Sequence, residues 1–202
     1  MQSIEITIKN RIFGMGRGSC FTPDRFLDLG GDESVRQSLS RLAKQGVIRR
    51  LSKGLYEYPR VHRVLGVLPP ETDKVVKALV ARDGITIQPS GAYAANLLGL
   101  SEQVPAKIVY LTDGNSKKIK IGKQEIIFKK NLGKAMAVAG TKSGLVIQAL
   151  LYLGKDHLTE AIKSKLSRRL SVKEKSQLLS ALKYSPIWLR NFLREVCSGS
   201  KN

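Results

Sequence analysis

The 202-residue chain carries 35 Lys and Arg against 16 Asp and Glu, a formal net charge of +19 at neutral pH. Charged residues interrupt every long apolar run, and the two cysteines lie far apart, which excludes a membrane helix and a paired disulfide framework. So large a positive charge predicts a polyanionic partner such as nucleic acid or an acidic membrane surface, the alternative being a lysine-biased surface that only favours solubility.

The N-terminal segment predicts a helix rather than a signal peptide. Three isoleucines recur at helical spacing from Ile4 and place this helix at about residues 3–13. Glu5 and Lys9 carry charge where a signal peptide needs an apolar core. We therefore expect a cytoplasmic protein.

The next two helices are predicted from their first residues. Thr22 is the expected N-cap of a short helix, with Pro23 at its first helical position. Asp32 is the expected N-cap of a third helix that ends near Gln45. The buried stripe of this third helix is expected to consist of Val35, Leu39 and Leu42.

The opposite face of the third helix is unusual because the helix carries no carboxylate after Glu33. Arginine and glutamine, which make paired hydrogen bonds to guanine and adenine edges, occur on it. We therefore predict a base-reading surface. Its candidate residues are Ser34, Arg36, Gln37, Ser40, Arg41 and Lys44.

A basic hairpin is predicted to follow, with Gly54 in its turn. Its cations, expected to reach DNA phosphates, are Arg49, Arg50 and Lys53. Three helices followed by such a hairpin is the element order of a winged helix-turn-helix, whose third helix enters the major groove. Residues 1–66 are therefore predicted to form a DNA-binding domain, the alternative being a domain of the same order used for protein contacts.

Residues 67–140 predict a small α/β domain, which begins near the proline pair Pro69-Pro70. The expected elements are helices over 72–82 and 92–100, strands over 85–88 and 107–112, and a hairpin over 117–130. The four strands are expected to form one sheet that is largely antiparallel at its hairpin end.

This second hairpin predicts a further basic surface, since lysines alternate with isoleucines along its first strand. The lysines concerned are Lys118, Lys120, Lys123, Lys129 and Lys130. The pattern fits a second phosphate contact, a docking surface for an acidic partner, or lysine protection of an edge strand.

Residues 141–202 predict a C-terminal helical bundle, with helices over 145–153, 156–166, 172–182 and 186–196. Ser171 and Ser185 are the expected caps. Arg168 and Arg169 belong to a cationic cluster at one helix junction and are added to the second basic surface. The net charge is +6 over residues 1–63, −1 over 64–113 and +14 over 114–202.

The sequence offers no catalytic constellation. A glycine-rich run ends in Ser19 where a dinucleotide-binding loop needs glycine, and Thr141 interrupts the Gly-Lys pair of a phosphate-binding loop. Two histidines far apart in the chain provide no metal cluster or catalytic triad. We expect a non-enzymatic protein without metal or cofactor; the alternative, an enzyme acting on nucleic acid, lacks clustered carboxylates.

The chain resembles the AbiEi-type antitoxin and transcriptional regulator family of type IV toxin–antitoxin and phage-defence systems, over roughly residues 5–135. The resemblance is carried by LSRL at 39–42, GVIRRLSKGLY at 46–56, GAYAANLLGL at 91–100, VP at 104–105 and VYLT at 109–112. It implies that a winged helix-turn-helix binds operator repeats in double-stranded DNA, with residues 32–45 as the reading helix and 49–56 as the wing. It further implies that the C-terminal part neutralises a nucleotidyltransferase-like toxin.

The leading hypothesis is therefore an α+β transcriptional regulator, the autoregulating antitoxin of a toxin–antitoxin or phage-defence pair. The alternative is a protein-interaction module that neutralises an acidic toxin, with DNA binding incidental.

Overall fold

The computed structural model describes residues 3–122 and 124–198 and divides into two compact units, one ending at Gly84 and the other beginning at Ile85. The fold is α+β, with eight α-helices and three β-sheets among the described residues. The boundary lies later than the break after residue 66 that the sequence suggested. The helix that follows the proline pair belongs to the first unit.

The first unit contains three helices and two small sheets. Its elements are α1 (Ile4–Met15), β1 (Cys20–Phe21), α2 (Asp32–Lys44), β2 (Arg49–Ser52), β3 (Leu55–Glu57), β4 (Val61–His62), β5 (Gly66–Val67) and α3 (Thr72–Asp83). β1, β3 and β2 form an antiparallel sheet in that order. β4 and β5 form a separate hairpin, which no pattern in the sequence had indicated.

The core of the first unit joins α1, α2 and the three-stranded sheet. Its fully buried side chains include Ile8, Ile12, Phe26, Val35, Leu39 and Leu42, with Phe21, Ile48 and Tyr56 at their edge. The predicted apolar stripe of the third helix is confirmed, because all three of its members are buried. Burying such a stripe, rather than intrinsic propensity, is what stabilises short helices of this kind.

One predicted helix start is confirmed in position and the other is shifted by one residue. The short helix is a single 3-10 turn (Pro23–Phe26) with Thr22 at its N-cap and Pro23 at its start, although the Thr22 side chain makes no capping hydrogen bond to it. Gly31, not Asp32, is the N-cap of α2. Asp32 is the first helical residue, and its carboxylate pairs with Arg36 one turn later.

The second unit combines a four-stranded sheet with five helices. Its elements are β6 (Ile87–Ser90), α4 (Gly91–Leu97), β7 (Lys107–Thr112), β8 (Lys117–Ile121), β9 (Gln124–Lys130), α5 (Lys142–Leu153), α6 (Glu160–Arg169), α7 (Val172–Ser180) and α8 (Ile187–Ser198). The strand order is β6-β7-β9-β8; β7 and β9 are parallel and the other pairs antiparallel. The predicted hairpin, which is β8 and β9, is confirmed.

The C-terminal helices share one core with the α/β part. Ala94, Ala95 and Leu98 around α4 are fully buried in the same cluster as Leu150 of α5 and Leu193 of α8. The region 141–202 is thus part of the second unit and not a separate bundle.

Local chemistry explains several boundaries in the second unit. β6 extends through Pro89 because it is an edge strand, where a missing backbone donor is tolerated. Ser171 forms a complete capping box with Glu174 at the start of α7, as its position predicted. The Ser185 hydroxyl instead donates to the carbonyl of Leu182.

Candidate nucleic-acid interface

The side of α2 that faces away from the core carries the candidate base-reading residues. We call this surface the α2 outer face; it comprises Ser34, Arg36, Gln37, Ser40, Arg41 and Lys44. All six are exposed, whereas Val35, Ser38 and Leu39 between them are buried. The helical spacing therefore separates one polar, cationic surface from the apolar stripe.

Carboxylates nevertheless lie beside this surface. The Arg36 Nε lies 2.7 Å from Asp32 Oδ2, and Gln37 Nε2 lies 3.4 Å from Glu33 Oε1. The Arg41 Nη1 lies 3.5 Å from an oxygen of Glu5, which α1 contributes.

The interpretation of a face free of carboxylates is therefore corrected. Glu5 is 36 positions from Arg41 in the chain, so only the packing of α1 on α2 brings them together. Water screens these pairs, because both guanidinium groups are exposed, so they hold Arg36 and Arg41 only loosely.

The first hairpin, β2 and β3, places two of its three cations in solvent. Lys53 is exposed in the turn, where Gly54 adopts a φ of +69°. Arg50 is also exposed, with only a 3.4 Å contact from its Nε to the Ser52 carbonyl oxygen. Both side chains are available to an anionic ligand.

Arg49, the third predicted phosphate contact, is engaged inside the unit. Its Nε donates to Glu57 Oε2 at 3.0 Å, and its Nη2 donates to the Leu68 carbonyl at 2.9 Å. The Glu57 side chain is 0% exposed, while that of Arg49 is 33% exposed. Arg49 therefore compensates a buried charge and ties the hairpin to the segment before α3.

This pairing was missed in the sequence, although the hairpin register contains the signal. Arg49 and Glu57 are direct cross-strand partners of β2 and β3. Opposite charges at directly opposed positions of an antiparallel pair are expected to interact. Counting outward from the turn at Gly54 would have identified them.

Other cations of the first unit are also structural. The Arg17 guanidinium lies 4.8 Å from the centre of the Tyr58 ring and donates to the Pro59 carbonyl at 3.0 Å. Arg11 makes a two-point contact with Asp28, which lowers the pKa of that carboxyl. The net charge of the first unit therefore overstates its free positive surface.

The second basic surface is only partly brought together. The registers of β8 and β9 place Lys118, Lys120 and Lys129 on one face of the sheet with Glu125, and Lys130 on the other. All four lysines are exposed. Lys123 lies outside the described residues.

The two arginines assigned to that surface lie in the last turn of α6, at the helix junction where the sequence analysis placed them. The Arg169 guanidinium donates to the Leu98 carbonyl at 2.5 Å and so ties α6 to the end of α4. Both arginines are exposed residues, and Arg168 makes one 3.4 Å contact from its Nε to the Ser164 carbonyl. The Arg169 guanidinium is thus engaged by the protein itself, whereas Arg168 is more open to a ligand.

Comparison with known proteins identifies a family for this chain but no activity. A family model described as "Family of unknown function (DUF6088)" matches residues 7–178. A search of curated proteins found no match. Among the residues that the structure describes, no helix has the length and apolarity to cross a membrane.

Proposed function

The chain belongs to the DUF6088 family, whose description assigns no activity, and we propose that it is a non-enzymatic DNA-binding regulator built on a winged helix-turn-helix. The observation that carries the proposal is the α2 outer face, an exposed set of Arg, Gln, Ser and Lys followed directly by a hairpin with a cationic tip. In the element order of α1, the 3-10 turn, α2 and the hairpin, α2 takes the place of the recognition helix.

In this proposal the residues divide into two roles. Gln37 and Arg41 face the major groove and hydrogen-bond to base edges, which gives sequence preference. Arg50 and Lys53 meet phosphates beside the groove, which gives salt-dependent affinity without sequence preference. Arg49 makes no DNA contact and holds the hairpin in place through Glu57.

The carboxylate beside Arg41 gives a sharper expectation. Glu5 competes with DNA for the Arg41 guanidinium and also repels phosphates. Glu5→Gln is therefore expected to strengthen binding to duplex DNA, whereas Arg41→Ala weakens it. If this surface only favoured solubility, the two variants would not change DNA binding in opposite directions.

The antitoxin role is the second part of the proposal, and it rests on the resemblance to AbiEi-type proteins. Residues 85–202 hold 20 Lys and Arg against seven Asp and Glu, a net charge of +13. The lysine face of β8 and β9 suits an acidic protein partner such as a nucleotidyltransferase-like toxin. The alternative function, a module that neutralises such a partner with incidental DNA binding, would depend on this face alone.

The test is a titration of the full chain against the duplex upstream of its own gene and a scrambled duplex of equal composition, at several salt concentrations. Arg41→Ala is expected to weaken binding to the cognate duplex by about 1–3 kcal/mol. Lys53→Ala is expected to weaken both duplexes alike and to reduce the salt slope by about one. Lys118→Ala, which removes the same charge from the second unit, is the matched control and should change neither.

Two results would overturn the proposal. One is the absence of duplex binding at moderate salt. The other is equal binding to both duplexes with Arg41→Ala behaving like Lys118→Ala, which would favour the protein-interaction module. Metal-dependent turnover of either duplex would contradict the non-enzymatic part.

A further inference from the structure

A groove of about 560 Å³ lies in the first unit, between α3 and the segment that contains β1 and the 3-10 turn. This volume falls within the range of about 300–1,000 Å³ that is typical of small-molecule sites. Neither the α2 outer face nor the hairpin tip lines the groove. The proposed DNA contacts therefore leave it unused.

Part of the groove lining, which we call the floor, is apolar. It includes Ala78 and Ala81 of α3, which are about one helical turn apart, together with Met15 and Phe21. Larger side chains at the two alanine positions would fill this space. The floor is thus a surface for an apolar group and not for a phosphate backbone.

The rim of the groove is cationic. Four basic side chains line it, against Asp24 as the one carboxylate: Arg25, Lys74, Lys77 and Arg82. The Cys20 thiol also lines it, and burial raises the pKa of that thiol to about 12, so it stays neutral. The field inside the groove therefore favours an anion.

Two of these four cations are paired within the protein and two are not. Lys74 lies 3.4 Å from Glu71, one helical turn away, and Arg82 lies 2.7 Å from its neighbour Asp83. Within the described part of the chain, the Arg25 guanidinium and the Lys77 ammonium are in no ion pair. They are the groups that remain for an external anion.

We propose that this groove binds a small organic anion with an apolar body. Lys77 and Arg25 hold the carboxylate, sulfonate or phosphate headgroup, and the acyl or aryl body lies on Met15, Ala78 and Ala81. Sites for small molecules usually combine an apolar lining with a few polar groups that point toward the ligand.

A ligand in the groove would affect the β2–β3 hairpin through the aromatic contacts of Phe21. The Phe21 ring stacks on Tyr56 of β3, with centroids 6.4 Å apart. It also meets Phe26 in the 3-10 turn before α2 edge to face, at 5.4 Å. Regulation of DNA binding by the anion rests on the proposed function, whereas anion binding itself does not.

The test uses the full chain and 1-anilinonaphthalene-8-sulfonate, an aryl anion whose fluorescence reports binding. Saturable binding of one equivalent is expected, together with weaker binding of the uncharged N-phenyl-1-naphthylamine. Lys77→Glu is expected to weaken dye binding about tenfold or more, the value of one charge-assisted hydrogen bond. Ala81→Trp, which fills the floor, is expected to abolish binding.

Two control variants separate the groove from general dye binding. Lys118→Glu changes the net charge equally in the second unit, and Leu65→Ser removes an apolar side chain that is 72% exposed in the β4–β5 hairpin of the first unit. Both should bind the dye like the original chain, and circular dichroism confirms that every variant is folded. Binding that survives Ala81→Trp and Lys77→Glu, or that Leu65→Ser abolishes, overturns the proposal. These outcomes do not depend on any measurement with DNA.

Discussion

Replacing Arg49 with leucine is expected to destabilise the first unit by about 3 kcal/mol. The replacement leaves the fully buried Glu57 carboxylate without its compensating charge. Removing one partner of a buried ion pair costs about 3–5 kcal/mol, and the lower end applies because a third of the Arg49 side chain is in solvent. Among the described residues, the second oxygen of Glu57 has no hydrogen-bond partner, so none of them takes over the interaction that Arg49 provides.

The assay is urea unfolding of the full chain, followed by two probes. The single tryptophan, Trp188, lies on α8 and reports the second unit, whereas far-ultraviolet circular dichroism reports both units. With a urea dependence of about 1–3 kcal/mol/M, the expected loss lowers the first-unit midpoint by roughly 1–3 M. The Trp188 transition should stay in place.

Two further variants make the reasoning refutable. Arg50→Leu removes an exposed neighbouring arginine and should change stability by less than about 0.5 kcal/mol. The double variant Arg49→Leu/Glu57→Leu should recover most of the loss, since apolar pairs often replace buried ion pairs without cost. The reasoning fails if Arg49→Leu resembles Arg50→Leu, or if the double variant loses the sum of the two single changes.

Three other expectations concern local structure. Gly18→Ala should lower the thermal midpoint more than Gly46→Ala: both glycines have positive φ, but only the former's new methyl meets a side chain, with Arg60 Cδ at 3.0 Å. Equal losses would contradict this. Ser171→Ala should cost about 1 kcal/mol in the tryptophan-monitored unfolding, since it removes an N-cap; an unchanged midpoint would refute the capping role. Backbone hydrogen bonds hold the pKa of Asp113 below its ordinary 3.8, so their stabilisation is complete above that pH and lost as pH falls through the folded value. Asp113→Asn should flatten this acid limb of the stability profile; an unchanged limb would argue against it.

Elements whose pattern is local were predictable from the sequence. The stripe of Val35, Leu39 and Leu42 predicted α2 because helical spacing places one face against the core. Gly122 and the lysine–isoleucine alternation likewise predicted the β8–β9 hairpin. β1 and the β4–β5 hairpin were not predictable in this way, because strands of two residues carry no periodicity.

The site was less predictable than the fold, because ion pairs form between segments. Exposure of the α2 outer face followed from its spacing, yet the approach of Glu5 to Arg41 depends on how α1 packs. The attachment of Arg169 to the Leu98 carbonyl spans 71 positions. The groove depends on how α3 packs against β1, and no linear pattern in the sequence records that packing.

The core of the first unit has a consequence for synthesis. Within the described part of the chain, the side chains that form this core all come from residues 4–58, whereas 118 residues follow Gly84. At about 5–20 residues per second, those later residues take on the order of ten seconds to translate. The nascent chain can therefore complete this core while its second unit is still being synthesised, so translation allows the first unit to fold before the second.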